Sequence, residues 1–282
     1  MNAVEFGRAL VETNDLDPIY VMLNRAELDW DTTARFSLAY WMFYHPGVAA
    51  RLAEPYEDFW EGCQLALDNK WPRGSERRHF RGALAQSALD DLWTKYSTPE
   101  EAVRYLCNFG EQDPDEPRTY TEMMARVQEW RGFGPWIAFK VADMVDAVLG
   151  TEVDFNGAEH DFYESPVKAG CWVAMETMGM TFDRFTFERK WDEATPAMKT
   201  VHLKAALTYL ASELGTMICP HNPTRTLRLQ EYETILCKYK SHLKGKYPVG
   251  TDTKELLHMI EWGAERSMLG KQLQTVLREV AR

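Results

Sequence analysis

Apolar residues recur at three- and four-residue spacing along most of this chain, which is the period of an amphipathic helix. Strand-like alternation is scarce, and the only candidates are TEVDF and MTFDRFTF, at residues 151–155 and 180–187. We therefore predict a mostly α-helical protein in one or two lobes. The predicted helices lie at residues 32–53 (broken at His45–Pro46–Gly47), 56–71, 82–96, 97–110, 118–130, 134–150, 196–215 and 251–280.

The composition is that of a soluble globular protein, since 45% of the 282 residues are hydrophobic and 27% are charged. No apolar run approaches the roughly 20 residues of a membrane span, and the N-terminus has no signal-peptide core. We expect a cytoplasmic protein with no membrane partner. Five scattered cysteines indicate reduced thiols. A formal charge of −11 excludes a protein that coats nucleic acid through its whole surface, but it allows a local basic patch.

Two glycines flank a phenylalanine between two predicted helices, in the segment EWRGFGPWIAFKVADMV at residues 129–145. Glycine permits backbone angles and close approaches that a β-carbon forbids. We expect Phe133 to pack between the helices. The amides of Gly132, Gly134 and the next helix start would then point outward as an anion site. The alternative is an ordinary helix–helix turn with a glycine C-cap, and the turn alone does not separate the two.

A carboxylate follows the second of these helices, since Asp154 stands twenty residues after Gly134. It is a candidate catalytic residue, and the simpler alternative is a helix cap or turn residue. The next residues add His160 as a second catalytic candidate. Glu159 and Tyr163 are candidate pocket residues, and each of these three has a structural alternative.

A basic stretch, NKWPRGSERRHFRG at residues 69–82, contrasts with the acidic chain around it. Arginine beside aromatic residues suits phosphates and unstacked bases, because guanidinium is planar, bidentate and always charged. We predict that Arg77, Arg78 and Arg81 bind a phosphate-rich group, either DNA backbone or a pyrophosphate leaving group. The alternative is a solvated helix start with incidental arginines.

The segment at residues 219–250 carries a second set of polar candidates. Two cysteines and two histidines match no standard zinc-finger spacing, so we predict no metal site here; they are Cys219, His221, Cys237 and His242. No cofactor is expected, and a divalent metal requirement is left open. We predict instead that His221 and Arg225 line a cleft. The residues predicted to pack one face of the following helix are Tyr232, Ile235 and Leu236. The lysines predicted to form a rim against a DNA backbone are Lys238, Lys240, Lys244 and Lys246.

The hairpin and its aspartate resemble those of the helix-hairpin-helix DNA glycosylase superfamily, which carries an L-x-G-h-G-x-x-x-A hairpin and then a V-D aspartate at this spacing. The resemblance implies one glycosylase-like helical domain over residues 1–282 around a DNA cleft. Its hairpin would lie at about 119–149 and a C-terminal helical extension at about 251–282. The resemblance assigns the catalytic carboxylate to Asp154. The residues that it places against DNA are Gly132, Phe133, Gly134 and Trp136.

Two departures from the superfamily pattern exclude related chemistries. Trp136 occupies the position of the Schiff-base lysine of bifunctional glycosylases, so a lyase reaction through that lysine is excluded. Some members hold an iron–sulfur cluster through four C-terminal cysteines. Only Cys219 and Cys237 lie in that region here, so no cluster is expected.

Four segments together resemble a phage branch, the α-glutamyl/putrescinyl-thymine pyrophosphorylases, which are amino acid:DNA transferases. The segments are RGSERRHFRG, RGFGPWIAFKVADM, VDF and TLRLQEYETILCKYKSH, and the resemblance covers roughly residues 20 to 250. It implies action in the host bacterial cytoplasm on double-stranded DNA that carries 5-pyrophosphoryloxymethyluracil. A small amine, either an amino acid or a polyamine, displaces the pyrophosphate. The base is flipped out of the duplex to be reached.

In this interpretation Asp154 acts as general base toward the amine, and the arginines stabilise the leaving pyrophosphate. The alternative is a monofunctional DNA glycosylase in which Asp154 stabilises an oxocarbenium-like sugar. The clustered arginines favour the transferase, because a neutral leaving base does not need them. A third hypothesis is a catalytically silent DNA-binding module, with steep salt dependence of binding and no product. The identity of the amine and the oligomeric state do not follow from the sequence.

Overall fold

The computed structural model describes residues 1–54, 58–74, 82–107, 118–162, 164–180 and 184–281. Within these ranges fifteen α-helices and four short strands are present, which confirms the prediction of a mostly α-helical protein. In chain order the elements are α1 (Ala3–Glu12), α2 (Pro18–Arg25), α3 (Trp30–Phe43), α4 (Pro46–Leu52), α5 (Phe59–Asp68), α6 (Gly82–Lys95), α7 (Pro99–Cys107), β1 (Arg118–Thr119), α8 (Tyr120–Gln128), α9 (Pro135–Val148), β2 (Val153–Asp154), a 3-10 turn (Ala158–His160), α10 (Glu164–Thr177), α11 (Arg184–Glu193), α12 (Pro196–Leu214), β3 (Ile218–Cys219), β4 (Asn222–Thr226), α13 (Leu229–His242), α14 (Thr251–Ala264) and α15 (Met268–Val280).

The residues group into two compact units, each discontinuous in sequence. Unit 1 comprises Met1–Asp17 and Phe155–Asp252, and unit 2 comprises Pro18–Asp154 and Thr253–Arg282. The single glycosylase-like domain over residues 1–282 stays a prediction. Among the described residues, no helix combines the length and the apolar character that crossing a membrane requires.

Unit 2 is built around α3, which is buried along nearly its whole length and packs against α4, α7 and α9. A helix that is apolar on all sides belongs in a core. The carboxylate of Asp29 caps its start by accepting a hydrogen bond from the amide of Thr32 at 2.8 Å. It ends at Tyr44, whose φ of 52° is left-handed. His45 then caps α4, so the predicted break in this apolar stretch is confirmed.

A glycine contact joins α4 to α14 within the same unit. A β-carbon on Gly263 would lie 2.6 Å from the Cα of Gly47, a separation that real β-carbons essentially never show. The two helices therefore approach more closely than any larger residue allows. The apolar stretch at 251–280 forms two helices, because Ser267 begins α15 by accepting a hydrogen bond from the amide of Gly270 at 2.9 Å.

Unit 1 buries α10, α12 and α13 against one another, and α1 packs on α12 and α13. The predicted packing face of α13 is confirmed, since Tyr232, Ile235 and Leu236 are all buried. The MTFDRFTF pattern is wrong as a strand, because its last four residues lie in α11. There Phe187 shares a buried cluster with Trp191, one helical turn away.

The four strands form two small pairs. β1 and β2 are parallel, while β3 and β4 form an antiparallel hairpin with an irregularity at Ile218/Cys219. The hydrophobic pattern located only β2, within TEVDF. The other strands are too short or too polar to produce an apolar alternation.

Candidate functional site

The two helices of the predicted hairpin are present as α8 and α9, which pack on each other. Thr119 and Glu122 begin α8 with a capping box, in which each side chain accepts the other's backbone amide, at 3.3 Å and 3.2 Å. In the turn Gly132 has a φ of +86°, which costs a residue with a β-carbon about 1 kcal/mol. Phe133 is buried, with its ring edge-on to that of Trp130 at 5.3 Å, so its predicted packing is confirmed.

Gly134 begins α9 as a cap residue without a side chain, and Pro135 follows at the first helical position. A β-carbon on Gly134 would meet no atom within 4 Å. Among the described residues, no acceptor pairs with its amide. Trp136 is half-buried, with its ring edge-on to that of Tyr44 at 5.9 Å. The start of α9 thus combines a positive partial charge with space around Gly134, and these are the features of an anion site.

Asp154 is attached to the base of this hairpin by strand pairing. β1 immediately precedes α8, β2 follows α9, and the parallel register sets Thr119 opposite Asp154. The amide of Val153 donates to Oδ1 of Asp146 on α9 at 3.1 Å, which ties β2 to the helix before it. The half-buried Asp154 is therefore held where the hairpin begins. Neither composition nor spacing indicated that Thr119 would be its neighbour.

In unit 1 the 3-10 turn sets Glu159 and His160 against α12. Oε1 of Glu159 lies 3.4 Å from Nζ of Lys204 and 3.8 Å from Nε2 of His160, and the two nitrogens are 3.4 Å apart. The side chain of Glu159 is 13% exposed and that of His160 is 59% exposed. The carboxylate is therefore sheltered and the imidazole faces solvent. Lys204 is a residue that sequence reasoning missed, because it stands 44 positions from His160.

A second group of polar side chains in unit 1 is here named the Cys219 cluster. It consists of Cys219, His221 and Glu231, which are buried, and of Arg225, which is half-buried. Sγ of Cys219 lies 3.2 Å from Nε2 of His221 and 3.8 Å from Oε1 of Glu231. Oε1 of Glu231 lies 3.4 Å from Nε2 of His221. Arg225 donates two hydrogen bonds to the same carboxylate, both at 2.9 Å. The structure corrects the predicted cleft, because His221 is only 4% exposed and faces this cluster.

The charges of the Cys219 cluster reinforce one another. Burial disfavours the protonated form of His221, but hydrogen bonds and charges from Cys219 and Glu231 outweigh it and raise the pKa of His221 to about 10. Burial also disfavours the ionised form of Glu231, but hydrogen bonds from His221 and Arg225 lower its pKa to about 2. The amide of Arg228 donates a further hydrogen bond to Oε2 at 2.7 Å. Glu231 is therefore an ionised buried acceptor.

Glu231 was not among the predicted site residues. His242 and Cys237, which the sequence analysis considered as zinc ligands, lie outside the Cys219 cluster. Nδ1 of His242 lies 2.9 Å from the carbonyl oxygen of Tyr247, and its ring packs on Phe6 at 4.5 Å. Cys237 is half-buried on α13. The two cysteines and two histidines of this segment therefore do not meet at one point. Cys219 and His221 meet Glu231 instead.

The structure corrects the predicted lysine rim at one position. Lys238 is buried, and its ammonium group donates to the carbonyl of Asp15 at 2.8 Å and pairs with the carboxylate of Asp252 at 2.6 Å. Burial alone would lower the pKa of Lys238, but Asp252 and its acidic neighbours outweigh it and raise the pKa. An ammonium group held in this way does not face DNA. Lys240 is half-buried and donates to the hydroxyl of Ser165 at 2.7 Å, and its contact with DNA stays a prediction.

Four predicted site residues lie outside the described part of the chain, and their roles stay predictions: Arg77, Arg78, Arg81 and Tyr163. Of the described ones, unit 2 holds the hairpin residues and Asp154. Unit 1 holds the Cys219 cluster, the two lysines, and the set of Glu159, His160 and Lys204, here named the Glu159 group.

The part of the chain that contains the hairpin, Asp154 and the Cys219 cluster matches a known protein family. The family model described as amino acid:DNA transferase matches residues 8–247. This chain belongs to the amino acid:DNA transferase family. The glycinyltransferase of Pseudomonas phage PaMx11 is 40% identical over 267 residues, which cover 89% of this chain and 87% of that relative. The putrescinyltransferase of Delftia phage PhiW-14 is 25% identical over 282 residues, which cover 97% of this chain and 83% of that relative.

Membership in the amino acid:DNA transferase family confirms the phage branch that the sequence resembles. The protein is a transferase of DNA modification, with DNA and an amino acid or other amine as its substrates. The alternative of a monofunctional DNA glycosylase is not supported. The matched residues contain the hairpin, Asp154, the Glu159 group and the Cys219 cluster, whereas α14 and α15 lie beyond them. Membership in the helix-hairpin-helix superfamily stays a prediction.

Proposed function

We propose that this transferase displaces pyrophosphate from 5-pyrophosphoryloxymethyluracil in double-stranded DNA with a small amine, on a base flipped out of the duplex. The observation that carries the proposal is the 40% identity to a glycinyltransferase over 89% of the chain. The attachment of Asp154 to the hairpin supports it from the structure. The names of the two relatives make glycine the first donor to test and putrescine the second.

The hairpin supports the DNA-binding step. The start of α9 at Gly134 carries the positive partial charge that holds a phosphate, and the left-handed angle of Gly132 shapes the turn in front of it. Phe133 and Trp130 pack behind the turn and keep it in place. Such a contact is made to the DNA backbone and is therefore independent of base sequence. Trp136, half-buried next to the turn, is a further candidate for contact with DNA.

Asp154 supports the chemical step. An amine is protonated at neutral pH and attacks only after it loses a proton, so a carboxylate attached to the hairpin serves as general base. The amine nitrogen forms a bond to the exocyclic methylene carbon as the bond from that carbon to the pyrophosphate oxygen breaks. The electron pair of the broken bond leaves with the pyrophosphate, and Arg77, Arg78 and Arg81 stabilise its charge. His160, 3.8 Å from Glu159, is the second candidate for proton transfer.

Nucleoside mass spectrometry tests the reaction. DNA that carries the pyrophosphorylated base is incubated with the protein and either glycine or putrescine. We expect an amine-adducted thymidine, and a rate about 100-fold lower for Asp154→Asn, because general base catalysis contributes at least this much. Glu152→Gln removes an exposed carboxylate two positions away and should retain the wild-type rate. Free base with abasic sites would refute the transfer, while an unchanged rate in Asp154→Asn would refute the role of that residue alone.

A comparison of two variants that differ in charge at Gly134 tests the phosphate contact of the hairpin separately. Gly134→Asp and Gly134→Asn have side chains of equal size, and the space around this residue admits both. Only the aspartate places a negative charge against a bound phosphate. We expect the aspartate variant to bind duplex DNA about tenfold more weakly than the asparagine variant at low salt in fluorescence anisotropy, with a smaller difference at high salt. Equal affinities of the two variants would refute the binding of a DNA phosphate at the start of α9.

A further inference from the structure

Three metal-binding side chains meet in the Cys219 cluster, and the reaction proposed above uses none of them. Cys219 ends β3, His221 lies in the β3–β4 turn, and Glu231 stands in the first turn of α13. All three residues are less than 5% exposed. A thiol, an imidazole and a carboxylate therefore face one another inside unit 1 without an apolar side chain between their ligand atoms.

The separations of these atoms match those of a metal site. Zinc–nitrogen and zinc–oxygen bonds are about 2.0–2.1 Å and zinc–sulfur bonds about 2.3 Å, so ligand atoms of a tetrahedral site lie about 3.3–3.6 Å apart. In this cluster Sγ of Cys219, Nε2 of His221 and Oε1 of Glu231 are separated by 3.2, 3.4 and 3.8 Å. One ion placed beside their common plane can contact all three at ordinary bond lengths.

Hydrogen bonds hold the carboxylate of Glu231 in place, as they usually do for a carboxylate that binds a metal. Oε2 of Glu231 accepts hydrogen bonds from Arg225 at 2.9 Å and from the amide of Arg228 at 2.7 Å. These bonds fix the orientation of the carboxylate. Oε1 also accepts a hydrogen bond from Arg225 at 2.9 Å, and an oxygen atom with two lone pairs keeps one for a metal ion beside the thiol and the imidazole. The donor set of thiolate, imidazole and carboxylate suits zinc rather than magnesium or calcium, which bind oxygen ligands.

We propose that Cys219, His221 and Glu231 bind one zinc ion, with a water molecule at the fourth position. The ion joins the β3–β4 hairpin to the start of α13, which the hydrogen bonds from Arg225 to Glu231 also link. Binding displaces the protons of the thiol and of the imidazole, since zinc binds the thiolate and the neutral ring. The ion therefore stabilises unit 1, and this role does not depend on the reaction proposed for the enzyme.

Metal content of the untagged protein tests the site. The protein is produced with added zinc, dialysed against metal-free buffer and analysed by plasma mass spectrometry. We expect about one zinc per chain in the wild type and in Cys237→Ser, a thiol on the same segment that lies outside the cluster. Less than about a tenth of this content is expected in Cys219→Ser and in His221→Gln, because loss of a ligand weakens the site strongly. Full zinc content in a folded Cys219→Ser protein would overturn the proposal.

Cobalt substitution gives a readout that needs no variant. Cobalt(II) added to the metal-free wild type should give the visible bands of a tetrahedral site and a thiolate-to-cobalt charge-transfer band, and zinc should abolish both. This measurement decides the question if the ligand variants do not fold, as judged by circular dichroism. A wild-type protein that holds no zinc and shows no charge-transfer band would overturn the proposal and leave a hydrogen-bonded thiol–imidazole pair in its place.

Discussion

His45 is expected to make the stability of unit 2 depend on pH. Its imidazole is 6% exposed at the start of α4, and Nδ1 accepts a hydrogen bond from the amide of Val48 at 3.3 Å. Burial, together with repulsion from His258, lowers the pKa of His45 from 6.5 to about 4. The helix N-terminus, with its positive partial charge, also favours the neutral ring. The folded protein therefore holds this histidine without a proton at neutral pH.

The size of the effect follows from proton linkage. Between pH 6.5 and pH 4 the unfolded chain binds a proton at this residue that the folded chain does not bind, so the free energy of unfolding falls as the pH falls. One pKa unit corresponds to about 1.4 kcal/mol, so the full shift amounts to about 3 kcal/mol below both pKa values. About 2 kcal/mol of this loss is expected by pH 5, and almost none above pH 7.5.

Urea unfolding followed by tryptophan fluorescence measures this contribution of His45 to the free energy of unfolding. The wild type is compared with His45→Asn at about pH 7.5, 6 and 5, because asparagine keeps an acceptor at the cap position and does not titrate. The difference in unfolding free energy between the two proteins should change by about 2 kcal/mol over this range, with the larger loss in the wild type. His258→Gln should reduce the effect only in part, since burial is its larger cause. Parallel pH profiles for wild type and His45→Asn would refute the reasoning.

Two further predictions concern packing and a buried charge. Gly263→Ala should destabilise unit 2 by about 1–3 kcal/mol, because its β-carbon would lie 2.6 Å from the Cα of Gly47; an unchanged thermal midpoint would contradict the close helix contact. Lys238→Met should cost about 3 kcal/mol in urea unfolding, because it leaves the carboxylate of Asp252 without its buried partner. Lys240→Met, the same change two positions further along α13, should cost less than about 1 kcal/mol. Equal losses for the two lysine variants would show that the ion pair of Lys238 and Asp252 is not structural.

The elements that the sequence predicted correctly depend on local signals. A cap, an apolar period and a stop lie within one helix length, so the break at His45 and the buried face of α13 could be inferred without knowledge of the fold. The hairpin is local as well, because Gly132, Phe133 and Pro135 act on neighbouring backbone. The family resemblance rests on the same short segments, and the family match confirms it.

Site geometry depended on contacts between distant residues. Thr119 neighbours Asp154 only because β1 pairs with β2 across the whole hairpin. Lys238 had the pattern of a solvent-facing lysine, since buried lysines are rare, and its partner Asp15 stands 223 positions away.

The Cys219 cluster also could not be predicted from the sequence, although its residues are closer together along the chain. Glu231 is 12 positions from Cys219, and neither apolar period nor motif spacing links a hairpin turn to the next helix start. The sequence by itself determined most helices of unit 2, the turn of the hairpin and the family to which the chain belongs, because those properties follow from short runs of residues. It did not predict α1, α2, α10 or α11. Only the tertiary structure decided which charges are buried and which ligand atoms meet, because burial and convergence are set by packing between elements.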